Sequence, residues 1–376
     1  MYIQSLELKN FRNFEDLNLS FSKGTNIFYG DNAQGKTNIL EALFLISTTR
    51  SHRSVKDRDL IRFGEEESHI RSVIIKKGID YQVDMHLRKS RSKGIAIQGQ
   101  RIRKASQLIG LLHIVFFSPE DLGIVKEGPA GRRRFMDMEL CQLDASYLYD
   151  LNNYNKVIEQ RNRYLKDISG SAGSDALQML DVFDEQLLEY GCRIIARRQQ
   201  FMEALADDIG GIHESLTGGR ETLLISYEPN VTAEDMEAKL KKNRRQDLFQ
   251  KMSCTGPHRD DFSFYVIGAN AAGAAGRISD PIDVRKFGSQ GQQRTCALSL
   301  KLSEIETVRT LTGEDPVLML DDVLSELDGS RQRYLLDTIG SLQTLVTCTG
   351  LDDFVGSRFE KDRIYRVENG SVRENG

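Results

Sequence analysis

The sequence predicts an α/β protein: a mixed sheet built around a phosphate-binding loop, interrupted by an inserted α-helical lobe. Three observations lead there. Gly30-Asp31-Asn32-Ala33-Gln34-Gly35-Lys36-Thr37 fits G-x-x-x-x-G-K-T, with a strand-like segment before it and a helical one after it. Pro316 to Leu320 is an unbroken apolar run that ends in Asp321 and Asp322. Between the two motifs, residues from about 120 to 250 change to helical periodicity.

Taken in chain order, Met1-Tyr2-Ile3-Gln4-Ser5-Leu6 alternates as a strand does and lacks a secretion-signal pattern. Thr25 to Tyr29 is a strand that feeds the glycine motif. Glycines let successive backbone N–H groups turn inward as an anion-binding nest. The following helix points its positive dipole end at the phosphates. Lys36 has the position that reaches the β- and γ-phosphates, and Thr37 supplies a hydroxyl for Mg²⁺. A bare glycine turn with a solvated lysine is the plain alternative, and the flanking strand and helix argue against it. Asn38 to Phe44 reads as an amphipathic helix. Farther on, Tyr81 to Leu87 alternates, Ser90 to Gly94 is turn-like, and Ile95 to Ile102 alternates again, which predicts a β-hairpin with a basic tip.

The central segment is helical. Leu177, Leu180, Phe183, Leu187, Tyr190, Ile194, Phe201 and Leu205 recur at three- and four-residue steps, with one gap near Arg197. This predicts an amphipathic helix or helix pair over 175–209, on the order of 50 Å long at ~1.5 Å per residue. Ser169 to Ser174 is a flexible connection within it, and Ala269 to Gly276 a loop between strands. Arg132-Arg133-Arg134 opens a helix against the dipole, which predicts either an ion-pair network or an anionic ligand. His258-Arg259-Asp260-Asp261 reads as a salt-bridged turn before the strand Phe262 to Ile267, with a metal site as the remote alternative. The predicted organisation is a discontinuous core, 1–115 with 251–376, and a helical lobe over 116–250.

The run before Asp321 suits a strand buried on both faces of a parallel sheet. Ligands bind where the carboxyl ends of such strands open. Asp321 is therefore placed to hold Mg²⁺, directly or through water, and Asp322 to polarise an attacking water.

Composition bounds the reading without identifying it. The 376 residues, 39% hydrophobic and 28% charged, suit a soluble chain with room for one large or two smaller domains. No apolar stretch approaches the ~20 residues needed to span a bilayer. The five cysteines are far apart and form no C-x-x-C pair, so they are read as reduced thiols of a cytoplasmic protein. A net charge of −4 does not advertise a nucleic-acid partner. The basic residues are nevertheless clustered. Arg88, Lys89, Arg91 and Lys93 lie at the hairpin tip, Arg53 and Arg58 in a second group, and Lys241, Lys242, Arg244 and Arg245 in a third. The first two groups are candidate DNA-backbone contacts; a solvated charged edge is the alternative. The third reads as a solvated helix face.

Further motifs carry a resemblance. Phe287-Gly288-Ser289-Gln290-Gly291-Gln292-Gln293-Arg294, before a helix Thr295 to Leu311, resembles the ABC signature, and Ser325-Glu326-Leu327-Asp328 resembles the D-loop. Their order is that of ABC ATPases. From Lys36 to Ser289 the separation is 289 − 36 = 253 positions, which resembles the DNA-repair and chromosome-maintenance branch rather than transporters. Leu6 to Phe14 looks like the opening strand and turn of that branch. Phe117-Ser118-Pro119-Glu120-Asp121-Leu122, Gly128-Pro129-Ala130-Gly131-Arg132-Arg133-Arg134-Phe135 and Gly256-Pro257-His258-Arg259-Asp260-Asp261 are similar to the RecF family. The resemblance implies an ABC-type ATPase head in a bacterial cytoplasmic recombination mediator that binds ATP, Mg²⁺ and double-stranded or gapped DNA. It implies a homodimer formed on ATP, RecR- and RecO-type partners, and a role in loading recombinase during repair and replication restart. Carried onto this sequence, ATP is held by Gly30 to Thr37, by Arg12 (or Asn13), and by Ser289, Gly291 and Gln292 of a second copy. Thr37 and Asp321 hold Mg²⁺, while Lys36 and Asp322 serve hydrolysis.

Three departures qualify that expectation. Asp322 stands where most ABC ATPases carry a glutamate, one methylene longer, which predicts slow turnover. After the next strand, Thr344 to Gly350 offers only hydroxyls, Thr347 or Thr349, where a histidine is expected. No glutamine is placed as the metal-bridging residue, and Ser118 to Glu120 falls in that region. A nucleotide-gated DNA clamp with negligible hydrolysis is thus the alternative; a transporter-type ATPase subunit is a more distant one.

Overall fold

β1 (Tyr2–Phe11) turns Ile3, Leu6, Leu8 and Phe11 into the core, where all four are fully buried. The computed structural model describes residues 1–53, 56–168, 174–268, 280–340, 342–350 and 361–375. A pairing irregularity between Ile3 and Ser5 absorbs the three-residue step from Ile3 to Leu6. After a turn at Arg12 and Asn13, β2 (Phe14–Ser20) pairs antiparallel with β1. β3 (Thr25–Tyr29) feeds the glycine motif and α1 (Lys36–Thr48). Then β4 (Glu67–Lys76), β5 (Ile79–Arg88), β6 (Gly94–Ile97) and β7 (Gln100–Ile102) complete an antiparallel sheet, ordered β2-β1-β4-β5-β6-β7. β8 (Ile114–Phe117) closes this N-terminal part.

The second sheet joins β3 and β8 to strands from the far end of the sequence. β12 (Val317–Asp321) lies between β8 and β13 (Thr344–Cys348), and β3 between β13 and β14 (Lys361–Glu368), all parallel. β15 (Ser371–Asn375) adds an antiparallel edge on β14. Every residue of β12 is buried, which explains its unbroken apolar run. The Gln343 amide ties the two sheets together. Its Oε1 accepts from Ile3 N (2.6 Å) and its Nε2 donates to Ile3 O (2.7 Å).

Helix α1 packs against β4 of the first sheet and β8, β12 and β13 of the second. Ile39, Leu40, Leu43, Phe44, Leu45 and Ile46 are all buried. The helix is therefore apolar nearly all round rather than amphipathic, because it is covered from both sides.

Two compact units result: Met1–Asp121 with Lys301–Gly376, and Leu122–Leu300. Residues 251–300, expected with the core, belong to the second unit by this grouping. The reason is visible in the pairing. In the second unit β10 (Asp261–Gly268) pairs along its whole length with β9 (Glu221–Glu228), and β11 (Ile282–Asp283) pairs with β10. The helices of this unit are α2 (Leu122–Lys126), α3 (Pro129–Leu143), α4 (Ala145–Asp167), α5 (Ser174–Thr217), α6 (Met236–Gln250) and α7 (Val284–Phe287). α8 (Gln290–Thr312) runs across the unit boundary, and α9 (Gly329–Ile339) follows β12. α5 is one helix of 44 residues, ~66 Å at 1.5 Å per residue. The gap in its apolar stripe is filled by Arg198, which is buried and bonded to Asp137 and Asp260 at 2.8 Å each. The segments 169–173 and 269–276, read as connections, lie outside the described residues.

Two buried histidines set an acid limit on the fold. Burial lowers the His113 pKa to about 4, with the Lys76 ammonium adding to the effect. His258 is also lowered to about 4, chiefly by burial. Its ring is assigned with Nε2–H donating to the Ser253 carbonyl (3.0 Å) and Nδ1 accepting from the Tyr154 hydroxyl (2.7 Å). Both stay neutral in the fold, whereas an unfolded chain protonates them below about pH 6.5. Their contribution is complete above that value and is lost as pH falls from about 6.5 toward 4, by up to roughly 1.4 kcal/mol per pH unit for each histidine. Denaturant unfolding compared at about pH 7.5 and about pH 5 is expected to show a lower midpoint in acid, and His113→Asn to flatten part of that dependence.

Candidate functional site

The glycine motif follows β3 without a linker. Gly30 and Gly35 have φ values of 149° and 115°, which L side chains rarely adopt. A Cβ on Gly30 would lie 2.3 Å from the Val367 carbonyl oxygen, and one on Gly35 2.5 Å from Asn13 Nδ2. The loop is thus clamped between the β1–β2 turn and the end of β14. Asn13 Nδ2 donates to Gln34 O (2.8 Å), Asn38 Nδ2 to Asn13 Oδ1 (2.8 Å), and Asn369 N to Gln34 Oε1 (2.6 Å). No side chain caps the start of α1. Its first-turn N–H groups therefore lack the usual capping acceptor, which is what an anion supplies. Lys36, 5% exposed, bends over the loop and donates to the carbonyls of Gly30 (2.6 Å) and Asp31 (2.9 Å).

The carboxylate strand meets this loop. Thr37 Oγ1 donates to Asp321 Oδ1 (2.9 Å), and Thr347 at the end of β13 donates to the same oxygen (2.6 Å). Asp322 N donates to Thr347 Oγ1 (3.0 Å), so that hydroxyl is already engaged on both sides. Thr347 therefore braces the carboxylates rather than standing as a phosphate sensor; Thr349 is exposed. Asp322 takes a left-handed backbone, φ 55°, that aspartate tolerates better than most residues. Burial raises its pKa above the usual carboxylate value, with Lys36 opposing the shift and Asp321 adding to it.

Arg12 also has a positive φ, 53°. Its Nε and Nη2 each donate to Glu41 of α1 at 2.8 Å, and Nη1 donates to Asp59 O (2.9 Å). Glu41 is fully buried. Burial pushes its pKa up, but the hydrogen bonds from Arg12 and Ser51 outweigh it, and the net shift is downward. Arg12 is thus fastened to the phosphate-loop helix. It also lines a groove of about 950 Å³ together with Asn13, Asn38, Arg53, Arg58, Arg62, Phe63 and Lys89. A smaller cavity of about 190 Å³ is lined by Thr37, His52, Arg53, Ser118, Pro119, Glu120, Asp321 and Asp322. Arg53, read from sequence as a DNA contact, lines both. His52 was not singled out by the sequence; its only signal is its place in a basic, serine-rich stretch after α1.

Ser289 and Gln292 cap α8. Ser289 Oγ accepts from Gln292 N (3.2 Å), and Gln292 Oε1 accepts from Ser289 N (2.8 Å). The helix accordingly starts within the signature-like segment, five residues before the expected Thr295. Ser289 and Gly291 are exposed there, while Gln292 Nε2 donates to Glu221 (2.8 Å). The basic hairpin is less open than its sequence implies. Arg88 pairs with Glu67 (3.5 Å), Lys89 with Glu66 (3.1 Å) and Lys93 with Asp57 (3.0 Å). Arg91 is exposed, and Arg58 pairs loosely with its neighbour Asp59 (3.7 Å). Arg132 binds Asp261 through two hydrogen bonds (2.6 and 2.9 Å), so the arginine triplet begins an ion-pair network. Asp260 and Asp261 are committed to arginines, and no cluster of three or more potential metal-binding side chains (His, Cys, Asp or Glu) occurs among the described residues.

A phosphate loop opening a buried helix, answered by paired carboxylates on a parallel strand, defines a P-loop ATPase head of the ABC and SMC class. The chain belongs to the RecF family. The RecF/RecN/SMC N-terminal domain matches residues 2–370. The chain is 51% identical over 372 residues to the DNA replication and repair protein RecF of Lachnospira eligens and 53% to that of Agathobacter rectalis, covering 99% of each chain in both cases. It is similar to a solved structure of the recombination mediator protein RecF-ATP in the RecFOR pathway, with TM-score 0.87, 34% identity, and coverage of 100% of this chain and 98% of that one. A solved Smc head bound to the C-winged helix domain of ScpA shares the fold, with TM-score 0.56 at 16% identity and coverage of 100% and 97%.

The Gly30 contact gives a direct test. Gly30→Ala is expected to lower the unfolding midpoint, because its Cβ meets backbone at 2.3 Å. Gly94→Ala, which meets nothing within 4 Å, is expected to change stability by less than about 1 kcal/mol. Equal thermal midpoints for the two variants would contradict the clamp.

Proposed function

We propose that this chain is an ATP-dependent, DNA-binding recombination mediator of the bacterial cytoplasm. The observation that carries the reading is the 2.9 Å contact between Thr37 and Asp321, which joins the phosphate loop to the carboxylate strand in a RecF-family chain. In this reading the loop amides, Lys36 and Arg12 receive ATP. Thr37 and Asp321 place two oxygen donors together, which suits the donor preference of Mg²⁺. When bound, the ion would neutralise charge on the β- and γ-phosphates. Asp322, whose raised pKa favours proton uptake, accepts the proton of the attacking water.

The exposed Ser289 and Gly291 support a composite site, in which the signature of one copy covers the terminal phosphate of another. The ATP-dependent dimer holds double-stranded or gapped DNA, with Arg58, Arg91 and Arg53 as exposed or groove-lining cations, and works with RecR- and RecO-type partners to load recombinase. No helix among the described residues is long and apolar enough to cross a membrane. A second reading, a nucleotide-gated clamp that hardly hydrolyses ATP, is supported by the short Asp322 side chain and by Thr347 being fully engaged.

Light scattering with and without ATP tests the composite site. Lys36→Met is expected to weaken nucleotide binding by about tenfold or more, since a charge-assisted hydrogen bond contributes ~1.5–3 kcal/mol. Ser289→Arg is expected to bind nucleotide within about threefold of the parent, an energy difference well under ~1 kcal/mol, yet to remain monomeric. ATP-dependent dimerisation of Ser289→Arg equal to the parent's refutes the reading.

A further inference from the structure

The signature-like segment is held from outside by a residue that lies 71 positions earlier in the chain. α5 ends at Thr217, and two left-handed glycines, Gly218 and Gly219, turn the chain back into β9. Glu221, the first residue of β9, pairs with Gly268 of β10 and donates its N–H to Thr217 Oγ1 (3.4 Å). Its neighbour Thr222 donates to Glu214 of α5 (2.5 Å). The backbone of Glu221 is thus fastened to the end of a long helix. Its side chain reaches across to α8, where Oε1 accepts from Gln292 Nε2 (2.8 Å). Oε2 lies 3.6 Å from Nε2 of the buried His213.

Gln292 is thereby held at both ends of its amide, because its Oε1 accepts from Ser289 N (2.8 Å). Its own backbone N–H donates to Ser289 Oγ (3.2 Å). A serine hydroxyl carries one hydrogen. With the oxygen accepting from the helix, that hydrogen is left to point outward from the exposed start of α8. The capping box would be loose by itself, since Gly291 inside it has no side chain and a glutamine amide gives up rotamer freedom to cap. A carboxylate close to the place of an incoming phosphate also repels it. An acidic residue there is unfavourable unless it holds something in place.

We propose that Glu221 is a positioning residue for the signature: it fixes the Gln292 amide and, through it, aims the Ser289 hydroxyl at the terminal phosphate held by another copy. The inference rests on the composite site proposed above and deepens it. Thr217, Glu221, Gln292 and Ser289 all belong to the second compact unit. The hold is therefore complete within one copy before a partner arrives, a form of preorganisation. Glu221 has no contact with the nucleotide in this reading and acts through Gln292.

Dimerisation of the full chain in ATP and Mg²⁺, followed by light scattering over a range of protein concentrations, tests this role. Glu221→Ala is expected to raise the dimer dissociation constant by about tenfold, the loss of one hydrogen bond to a charged group. Its dilute monomer is expected to bind a fluorescent ATP analogue within about twofold of the parent. Glu221→Gln keeps an acceptor for Gln292 and is expected to dimerise within about threefold of the parent. The double variant Glu221→Ala with Gln292→Ala is expected to dimerise no more weakly than Gln292→Ala alone, because one residue acts through the other. Parent-like dimerisation of Glu221→Ala overturns the proposal. So does Glu221→Gln as weak as Glu221→Ala, which would assign the effect to charge. Additive losses in the double variant overturn it as well, and so does a loss of ATP binding in Glu221→Ala, which would assign the residue to the fold. Ser289→Arg controls the underlying reading separately: if it dimerises like the parent, the composite site itself fails.

Discussion

The carboxylate of Asp321 is the joint on which the site depends. It accepts the hydroxyls of Thr37 and Thr347 on one oxygen, and Thr37 lies 284 positions away in sequence. Two parallel strands and the start of α1 are thereby brought to one point. The lateral order β3-β13-β12 makes this possible, since β13 stands between the strand that feeds the phosphate loop and the strand that carries the carboxylates. Thr347, on the middle strand, reaches both Asp321 and the amide of Asp322. A hydroxyl serves here because it donates and accepts at once.

A second constraint comes from α1. A helix covered on both sides by sheets buries nearly every side chain, including a glutamate. Burying Glu41 without a partner would be prohibitive, and Arg12 answers it with two charge-assisted bonds. That pairing in turn holds Arg12 in a left-handed backbone, a conformation usually left to glycine or asparagine. The same turn delivers Asn13 to the loop, where it fills the space a Cβ on Gly35 would need. Gly30 and Gly35 are thus required by their neighbours, whatever the loop binds. Removing Arg12 would disturb the fold and the groove in one step.

Much of this was legible in the sequence. The glycine motif, the apolar strand ending in two aspartates and the helical middle each carry a period or a turn chemistry of their own. The RecF resemblance rested on motifs spread along nearly the whole chain. What stayed hidden depended on contacts between distant segments. α1 read as amphipathic because a single sequence does not reveal that two sheets will enclose it. Arg198 read as a gap in an apolar stripe because only the fold supplies Asp137 and Asp260. The start of α8 was placed late because Ser289 and Gln292 form a capping box that a glycine-rich segment obscures. The basic hairpin read as open because Glu66, Glu67 and Asp57, which answer it, lie tens of residues earlier.

The two carboxylates illustrate how environment divides identical side chains. Asp321 accepts hydroxyl bonds from Thr37 (2.9 Å) and Thr347 (2.6 Å). The Asp322 backbone amide donates to Thr347 Oγ1, and burial, with Asp321 adding to it and Lys36 opposing it, raises its side-chain pKa. The left-handed backbone at Asp322 turns its side chain out of the strand path, toward the cavity it shares with Glu120 and His52. A shorter side chain at this position therefore meets a cavity walled by further polar groups. In the hydrolytic reading proposed above, such a site would restrict how a water molecule and a terminal phosphate are placed, and would tie the speed of the reaction to their placement more than to the basicity of one residue.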